Sequence, residues 1–320
     1  MNQKIASSNT TLTTIVRFHN RERLSFLKEA ISSLATQNWD DLELVVALQN
    51  PDETLAQDVT DLIQDQQWRA KPSFKIVSVA VPENVDGRSE LLNQGLKCAN
   101  GRFVAFLDDD DIIYPDGYST LIRQLLKGSA VIAVGGYRKA YLTRGANGWQ
   151  VRKRTDSVVP LPSRLTLFQY NYIPLHSYVI DRSRLGEFEL YFDNDLPPLE
   201  DYDFLVRLFA QFEPDFSCFG TPVCEYRIHE LNSLGNALDR PEERSPAVQR
   251  SLDVIEARKE TLQCKITARE LATLAGELAT LSAERDRLLH RIADRAHAIT
   301  DGQPRLKGFI RNARGLLSRD

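Results

Sequence analysis

Between Leu12 and Ala130 the chain alternates short β-branched runs with helix-periodic stretches, and this alternation limits the fold more than any other feature. Leu12–Val16 reads as a strand, followed by a helix with Leu24, Leu27, Ile31 and Leu34 on one face. Leu42–Leu48 is a second strand, and its helix carries Leu55, Val59, Leu62 and Ile63. Phe74–Val79 is a third, followed by a helix with Leu91, Leu92, Leu96 and Ala99 that Gly101 terminates. Arg102–Leu107 is a fourth. Strands alternating with helices predict a parallel α/β sheet covered on both faces.

The fourth strand runs directly into Asp108-Asp109-Asp110-Asp111, and Ile112–Asp116 then turns into a helix. Adjacent carboxylates repel one another unless solvent or a cation lies among them. At the carboxyl end of an apolar strand they stand at the sheet rim, where open α/β folds bind ligands. Hard divalent cations take oxygen ligands and bridge to phosphates, so the tetrad reads as a metal–diphosphate site. A calcium loop of the EF-hand type fits badly. It needs Gly at its sixth position and Glu at its twelfth, where this chain has Ile113 and Ser119.

Beyond Ala130 the pattern changes. Arg138–Thr143 and Trp149–Arg154 flank Gly145-Ala146-Asn147-Gly148, which reads as a hairpin. Leu199–Leu205 opens a short helix that turns Leu205, Leu208, Phe209 and Phe212 inward, and two short strands follow, Phe216–Phe219 and Val223–Arg227. From Pro246 to Ala298 the composition shifts to Ala, Leu, Glu and Arg. Leu271, Leu274, Leu278, Leu281, Leu288 and Ile292 form an a/d seam interrupted by Arg285. The seam predicts an oligomerising coiled coil, the alternative being a long helix folded back on the preceding domain. In Arg305–Asp320, Leu306, Phe309, Ile310, Ala313, Leu316 and Leu317 share one face, with Lys307, Arg311, Arg314 and Arg319 interspersed. Such a basic amphipathic tail suits an anionic membrane surface or a partner protein.

The formal net charge of −4 gives no basic signature for nucleic acid. Four scattered cysteines without a Cys-x-x-Cys pair argue against a disulfide framework and suit a reducing cytoplasm. No stretch approaches the ~18–20 apolar residues of a membrane span, and Met1–Thr11 lacks the apolar core of a signal peptide. The expectation is a cytoplasmic protein with at most peripheral contact at the inner membrane face.

Several motifs follow in a fixed order: Ile15–Arg21, Asn93-Gln94-Gly95-Leu96, Asn100–Asp111, Glu200-Asp201-Tyr202-Asp203 and Tyr226-Arg227-Ile228-His229. In order and spacing they resemble the family-2 inverting nucleotide-sugar glycosyltransferases of the GT-A fold, over Thr11–Leu234. The resemblance implies a Rossmann-like mixed sheet with helices on both faces across residues 1–240. A helical or coiled-coil segment over 241–300 and the basic tail over 301–320 would follow. Asp108 and Asp110 match the family's Asp-x-Asp motif. Asp110 would ligate Mn²⁺ or Mg²⁺, with Asp108 and His229 as further ligands, while Asp108 and Asp109 lie against ribose and diphosphate. Arg17, His19, Gln49 and Arg88 would complete the donor site, Arg88 by pairing with phosphate. Asp201, with Glu200, matches the Glu-Asp motif that supplies the catalytic base. At the first turn of a helix the dipole is expected to lower the Asp201 pKa. His176 lies where acceptor-facing residues of the family occur.

The resemblance therefore implies an inverting hexosyl transfer from a nucleotide-diphosphate sugar to a hydroxyl of a glycan or lipid-linked acceptor, in surface polysaccharide synthesis. Two departures stand out. The second strand ends in Gln49-Asn50 where the family usually carries Asp for the nucleotide base, and Arg17 occupies the region of a usual Pro. Gln49 or Asn50 can hydrogen-bond a base edge as amides. The departures also fit a catalytically degenerate sugar-nucleotide binder that assembles a complex through the coiled coil. A sugar nucleotidyltransferase is disfavoured, because Phe18–Glu22 contains no glycine to cradle a triphosphate.

Overall fold

Four parallel strands realise the predicted alternation: β1 (Leu12–Phe18), β2 (Leu42–Gln49), β3 (Ser73–Val79) and β4 (Phe103–Asp108), in the order β3-β2-β1-β4. The structure is a computed structural model describing residues 10–145, 148–159, 162–196, 198–229, 245–268, 270–273, 275–276, 280 and 282. β1, β2 and β4 are almost wholly buried, as strands covered on both faces must be. Their side chains alternate between two cores. Leu12, Val16, Leu44, Val46 and Leu107 face α1 (Leu24–Ala35), α2 (Glu53–Gln64) and α4 (Gly117–Lys127). Ile15, Val45, Val104 and Phe106 face α3 (Arg88–Cys98) and α6 (Glu200–Gln211). Each fully buried aliphatic or Phe side chain contributes about 1.5–3 kcal/mol. Gly95 lets α3 settle on β1, since a Cβ there would run into the side chain of Ile15.

The second half of the sheet is mixed. β8 (Tyr178–Asp181) runs antiparallel to β4 and to β6 (Ile132–Gly145). β9 (Asp215–Ile228) runs parallel to β6, and β5 (Ile112–Ile113) pairs antiparallel to β9. β6 and β7 (Gly148–Asp156) form the predicted hairpin, and α5 (Arg164–Gln169) lies between β7 and β8. Where the sequence suggests two strands there is one, β9. Its Gly220 and Pro222 are tolerated because the pairing register with β6 shifts at Gly135 and Gly136.

A further helix, α7 (Pro246–Thr261), starts at a Ser245 cap with Pro246 in the first turn. It buries Val248, Ser251 and Ile255, the two aliphatic side chains joining the same core as α6. Arg258 bridges Asp193 (2.8 Å) and Asp203, and Lys259 donates to the Tyr202 hydroxyl at 2.9 Å. The backbone leaves the helix at Leu262. α7 lies within the unit Met1–Cys264. Leu274, Leu278, Leu281, Leu288 and Ile292 of the predicted seam lie outside the described residues, as does the tail 301–320. Among the described residues, no helix is long and apolar enough to cross a membrane.

Candidate active site

The carboxyl ends of β1, β2 and β4 open into a cleft of about 510 Å³, closed on its other side by residues of β6, β9 and the start of α6. The β1–β4 register sets Arg17 beside Asp108. Its guanidinium grips both carboxylate oxygens, with Nη2 3.1 Å from Oδ2, and Nη1 donates to Glu200. One arginine thus ties the end of β4 to the start of α6. Burial works against its charge, but Asp108 and Glu200 more than compensate and hold its pKa well above the ordinary value.

The Asp tetrad turns inward. Arg23 Nη2 lies 2.8 Å from Asp109 Oδ1 and 2.7 Å from Asp110 Oδ2, and His229 Nε2 is 3.0 Å from the same Asp110 oxygen. The backbone N–H of Arg227 donates to Asp111 Oδ1 at 2.7 Å. His176 Nδ1 is 3.1 Å from Asp111 Oδ2 without the direction of a hydrogen bond, while its Nε2 meets the Glu225 carbonyl at 3.1 Å. Burial pushes His176 down to about 4, so the ring is neutral and the Nε2–H donates to that carbonyl. Burial and the neighbouring Asp110 push Asp109 and Asp111 well above the carboxylate range. Asp110 itself resists burial through the His229 hydrogen bond and Arg23 and stays low. One ionised carboxylate between two that favour protons is the outcome of crowding four acids in one turn.

Oxygens of Asp108, Asp110 and Asp111 lie within 4.8 Å of one another, a hard-donor set suited to Mg²⁺ or Mn²⁺. Asp109 Oδ2 is buried without a hydrogen bond. These residues fit the divalent cation that the resemblance implies. The ring of His229 stacks on Phe26 at 4.4 Å and lies 5.2 Å from Trp149, and its Nε2 is engaged by Asp110. The three carboxylates that group together are Asp108, Asp110 and Asp111, with His229 held against Asp110.

α6 begins abruptly. Leu199 precedes it in the left-handed region, with φ of 77°, and no side chain caps the helix. That conformation costs a non-glycine residue about 1–2 kcal/mol. It is held because Leu199 is buried in the core. The turn delivers Glu200 to Arg17, with Arg88 Nη1 3.9 Å away, and leaves Asp201 at the cleft wall. Asp201 Oδ1 accepts from the Tyr202 N–H at 2.8 Å, and Asn171 Nδ2 stands 3.4 Å from Oδ2. The helix-dipole expectation for Asp201 is reversed. Burial first, then the Glu200 charge, raises its pKa to about 7. A first-turn dipole is worth only about 0.3–1 kcal/mol, less than desolvation of a carboxylate.

Arg17, His19, Gln49, Arg88, Asp108, Asp109, Asp110, Glu200 and Asp201 all line this cleft; His229 stands behind it. Asn50 does not serve a base edge. Its amide exchanges two hydrogen bonds with the Val81 backbone, at 2.7 and 2.8 Å, leaving Gln49 facing the cleft. Gly87 closes that corner, where a Cβ would sit 2.8 Å from Gln49 Oε1. Arg23, Asn171, Tyr137 and Lys139 also line the cleft and are not marked by any of the sequence motifs. Arg23 carried one usable signal, an arginine in the turn after the strand beside the tetrad. A short 3₁₀ turn capped by Asn20 swings it inward and sends Arg21 out to Asp52.

The fold is that of the GT-A proteins. The family model "Glycosyl transferase family 2" matches residues 13–183, and the chain belongs to that family. An uncharacterised glycosyltransferase of Methanocaldococcus jannaschii is 23% identical over 217 residues, 68% of this chain and 71% of that one. A second, from Haemophilus influenzae, is 26% identical over 196 residues, 59% of this chain and 57% of its own. The GalNAc(5)-diNAcBac-PP-undecaprenol beta-1,3-glucosyltransferase of Campylobacter jejuni is 34% identical over 119 residues, 37% of this chain and 36% of its own. The chain thus spans little more than half of the Haemophilus relative and about a third of the Campylobacter one. Among solved structures, S. aureus TarS 1–349 in complex with UDP-GlcNAc superposes with a TM-score of 0.57 at 14% identity, over 80% of this chain and 68% of that one.

Proposed function

We propose that the protein is a metal-dependent, inverting glycosyltransferase that moves a sugar from a nucleotide-diphosphate donor to a hydroxyl of a glycan or lipid-linked acceptor. The observation that carries this reading is one cleft holding three grouped carboxylates, three flanking arginines and a separate carboxylate whose pKa is about 7. TarS, of the same fold, was crystallised with UDP-GlcNAc, and the Campylobacter relative is named for a PP-undecaprenol compound; both favour these substrate classes.

Asp201 is the general base. At neutral pH it is poised between its two forms, which suits proton transfer. It takes the proton from the acceptor hydroxyl as that oxygen bonds to the anomeric carbon. The bond from that carbon to the phosphate oxygen breaks on the opposite face, and a nucleoside diphosphate leaves. A single displacement inverts the centre and needs no covalent nucleophile. Arg88, which lines the cleft beside Asp86, would pair with phosphate, and Arg17 holds Asp108 and Glu200 in fixed geometry. Asp108, Asp110 and Asp111 would hold the divalent cation, which supplies Lewis-acid charge for the leaving diphosphate. His229 and Arg23 keep Asp110 ionised for that task. Gln49 replaces the family's acid as the candidate contact to the nucleotide base.

The reading is tested with a panel of nucleotide sugars and acceptors, following the anomeric configuration of the product by NMR. A product of inverted configuration, with turnover lost in Asp201→Asn, is expected. Retained configuration, or near-normal turnover in that variant, would refute the mechanism.

A further inference from the structure

The β6–β7 hairpin is unlike the rest of the chain. From Arg138 to Asp156 it carries six basic residues against one acid, in a protein of net charge −4. Some of that charge is spent internally, with Arg138 paired to Asp156 at 2.7 Å and Arg154 to Glu225 at 2.6 Å. Lys139 and Lys153 have no carboxylate partner among the described residues. Paired residues of adjacent strands share a sheet face, so register shows where they point. Lys139 is opposite Tyr226, and Tyr141 is opposite both Ile228 and Lys153. Tyr137, Lys139, Tyr226 and Ile228 line the cleft, so Tyr141 and Lys153 continue the same face outward. Tyr137 and Tyr226 meet edge to face at 6.5 Å, and burial first, then the nearby Asp111, Asp110, Asp201 and Asp108, hold the Tyr226 hydroxyl above its ordinary pKa. A lane of three tyrosines and two unpaired lysines therefore leads away from the proposed base.

Tyrosine rings offer apolar faces with a polar edge, a surface suited to sugar rings. Free ammonium groups beside them add selection for negative charge. We propose that this lane is the acceptor subsite and that the acceptor is an anionic glycan, bearing phosphate or carboxylate groups read by Lys139 and Lys153. The assignment rests on the glycosyltransferase reading and narrows its substrate class.

The test titrates the full chain, at low and at high salt, with three probes of similar length: maltotetraose, tetragalacturonic acid and a glycerol-phosphate tetramer. The neutral probe is expected to bind at least roughly tenfold more weakly than one of the anionic two, with the preference fading at high salt. The better anionic probe separates phosphate from carboxylate. Lys139→Gln/Lys153→Gln is expected to lose that tenfold preference while binding nucleoside diphosphates with Mn²⁺ as the parent does. Equal affinity for neutral and anionic probes, no binding of any probe, or an unchanged preference in the double variant would overturn the acceptor assignment alone, provided nucleotide binding holds. Absence of nucleotide binding by the folded chain would overturn the transferase reading and the acceptor assignment with it.

Discussion

Asp201→Asn is predicted to make the protein more stable, and by an amount that depends on pH. In the fold, burial and Glu200 raise the Asp201 pKa from 3.8 to about 7. A raised carboxylate pKa means that the folded state holds its proton after the unfolded chain has released it. The resulting loss of stability is absent below pH 3.8, develops between 3.8 and about 7, and is complete above that. At ~1.36 kcal/mol per pKa unit, a shift of about three units costs up to about 4 kcal/mol. Asparagine has a similar shape and no charge, so it escapes this cost. For a domain of this size, about 4 kcal/mol corresponds to roughly 8–16 °C in Tm. The assay is thermal unfolding of both proteins from pH 4 to 9. The Tm difference should be near zero at pH 4, grow in favour of the variant and level off above pH 7. A difference that is constant across that range, or that favours the parent at pH 8, would refute this reasoning. It would mean that Asp201 ionises as a solvated carboxylate does.

Further consequences can be measured separately. The pH profile of kcat/KM should rise with pH through an acid limb near 7, because the base must be ionised in the free enzyme; a limb near 4 would point to a different base. Arg258→Ala removes a partner from the fully buried Asp203 and should cost about 1–3 kcal/mol in urea unfolding, with no effect expected had the pair been solvated. Truncation after Thr261 should leave the α/β unit folded, whereas truncation before Ser245 should destabilise it by several kcal/mol through lost burial of Val248 and Ile255. Equal melting of the two truncations would contradict the packing of α7.

The sheet and the tetrad were legible because their signals are local. β1, β2 and β4 are buried on both faces and read as near-continuous apolar runs, and each helix between the strands shows its apolar stripe. The position of Asp108 to Asp111 at the end of β4 followed from the same pattern. What escaped was set by contacts distant in sequence. Arg23 reaches the tetrad from a short turn, and α7 returns to brace the helix bearing Asp201 through Arg258 and Lys259. The weak apolar stripe of α7, Val248, Ser251 and Ile255, includes a serine and merges with the more regular leucines beyond it. The Asp201 pKa was misjudged because a helix N-terminus is visible in sequence while desolvation is not. Asn50 had the chemistry of a base reader, but a left-handed backbone (φ 45°) turns its amide onto Val81.

Calorimetric titration with UDP, GDP, dTDP and CDP, each with and without Mn²⁺, tests the central claim most directly. One nucleotide should bind in a manner that requires the metal, and Asp110→Ala should abolish that dependence while the protein stays folded. Failure of all four to bind a folded sample, or binding indifferent both to Mn²⁺ and to Asp110, would contradict a metal-assisted nucleotide-sugar transferase.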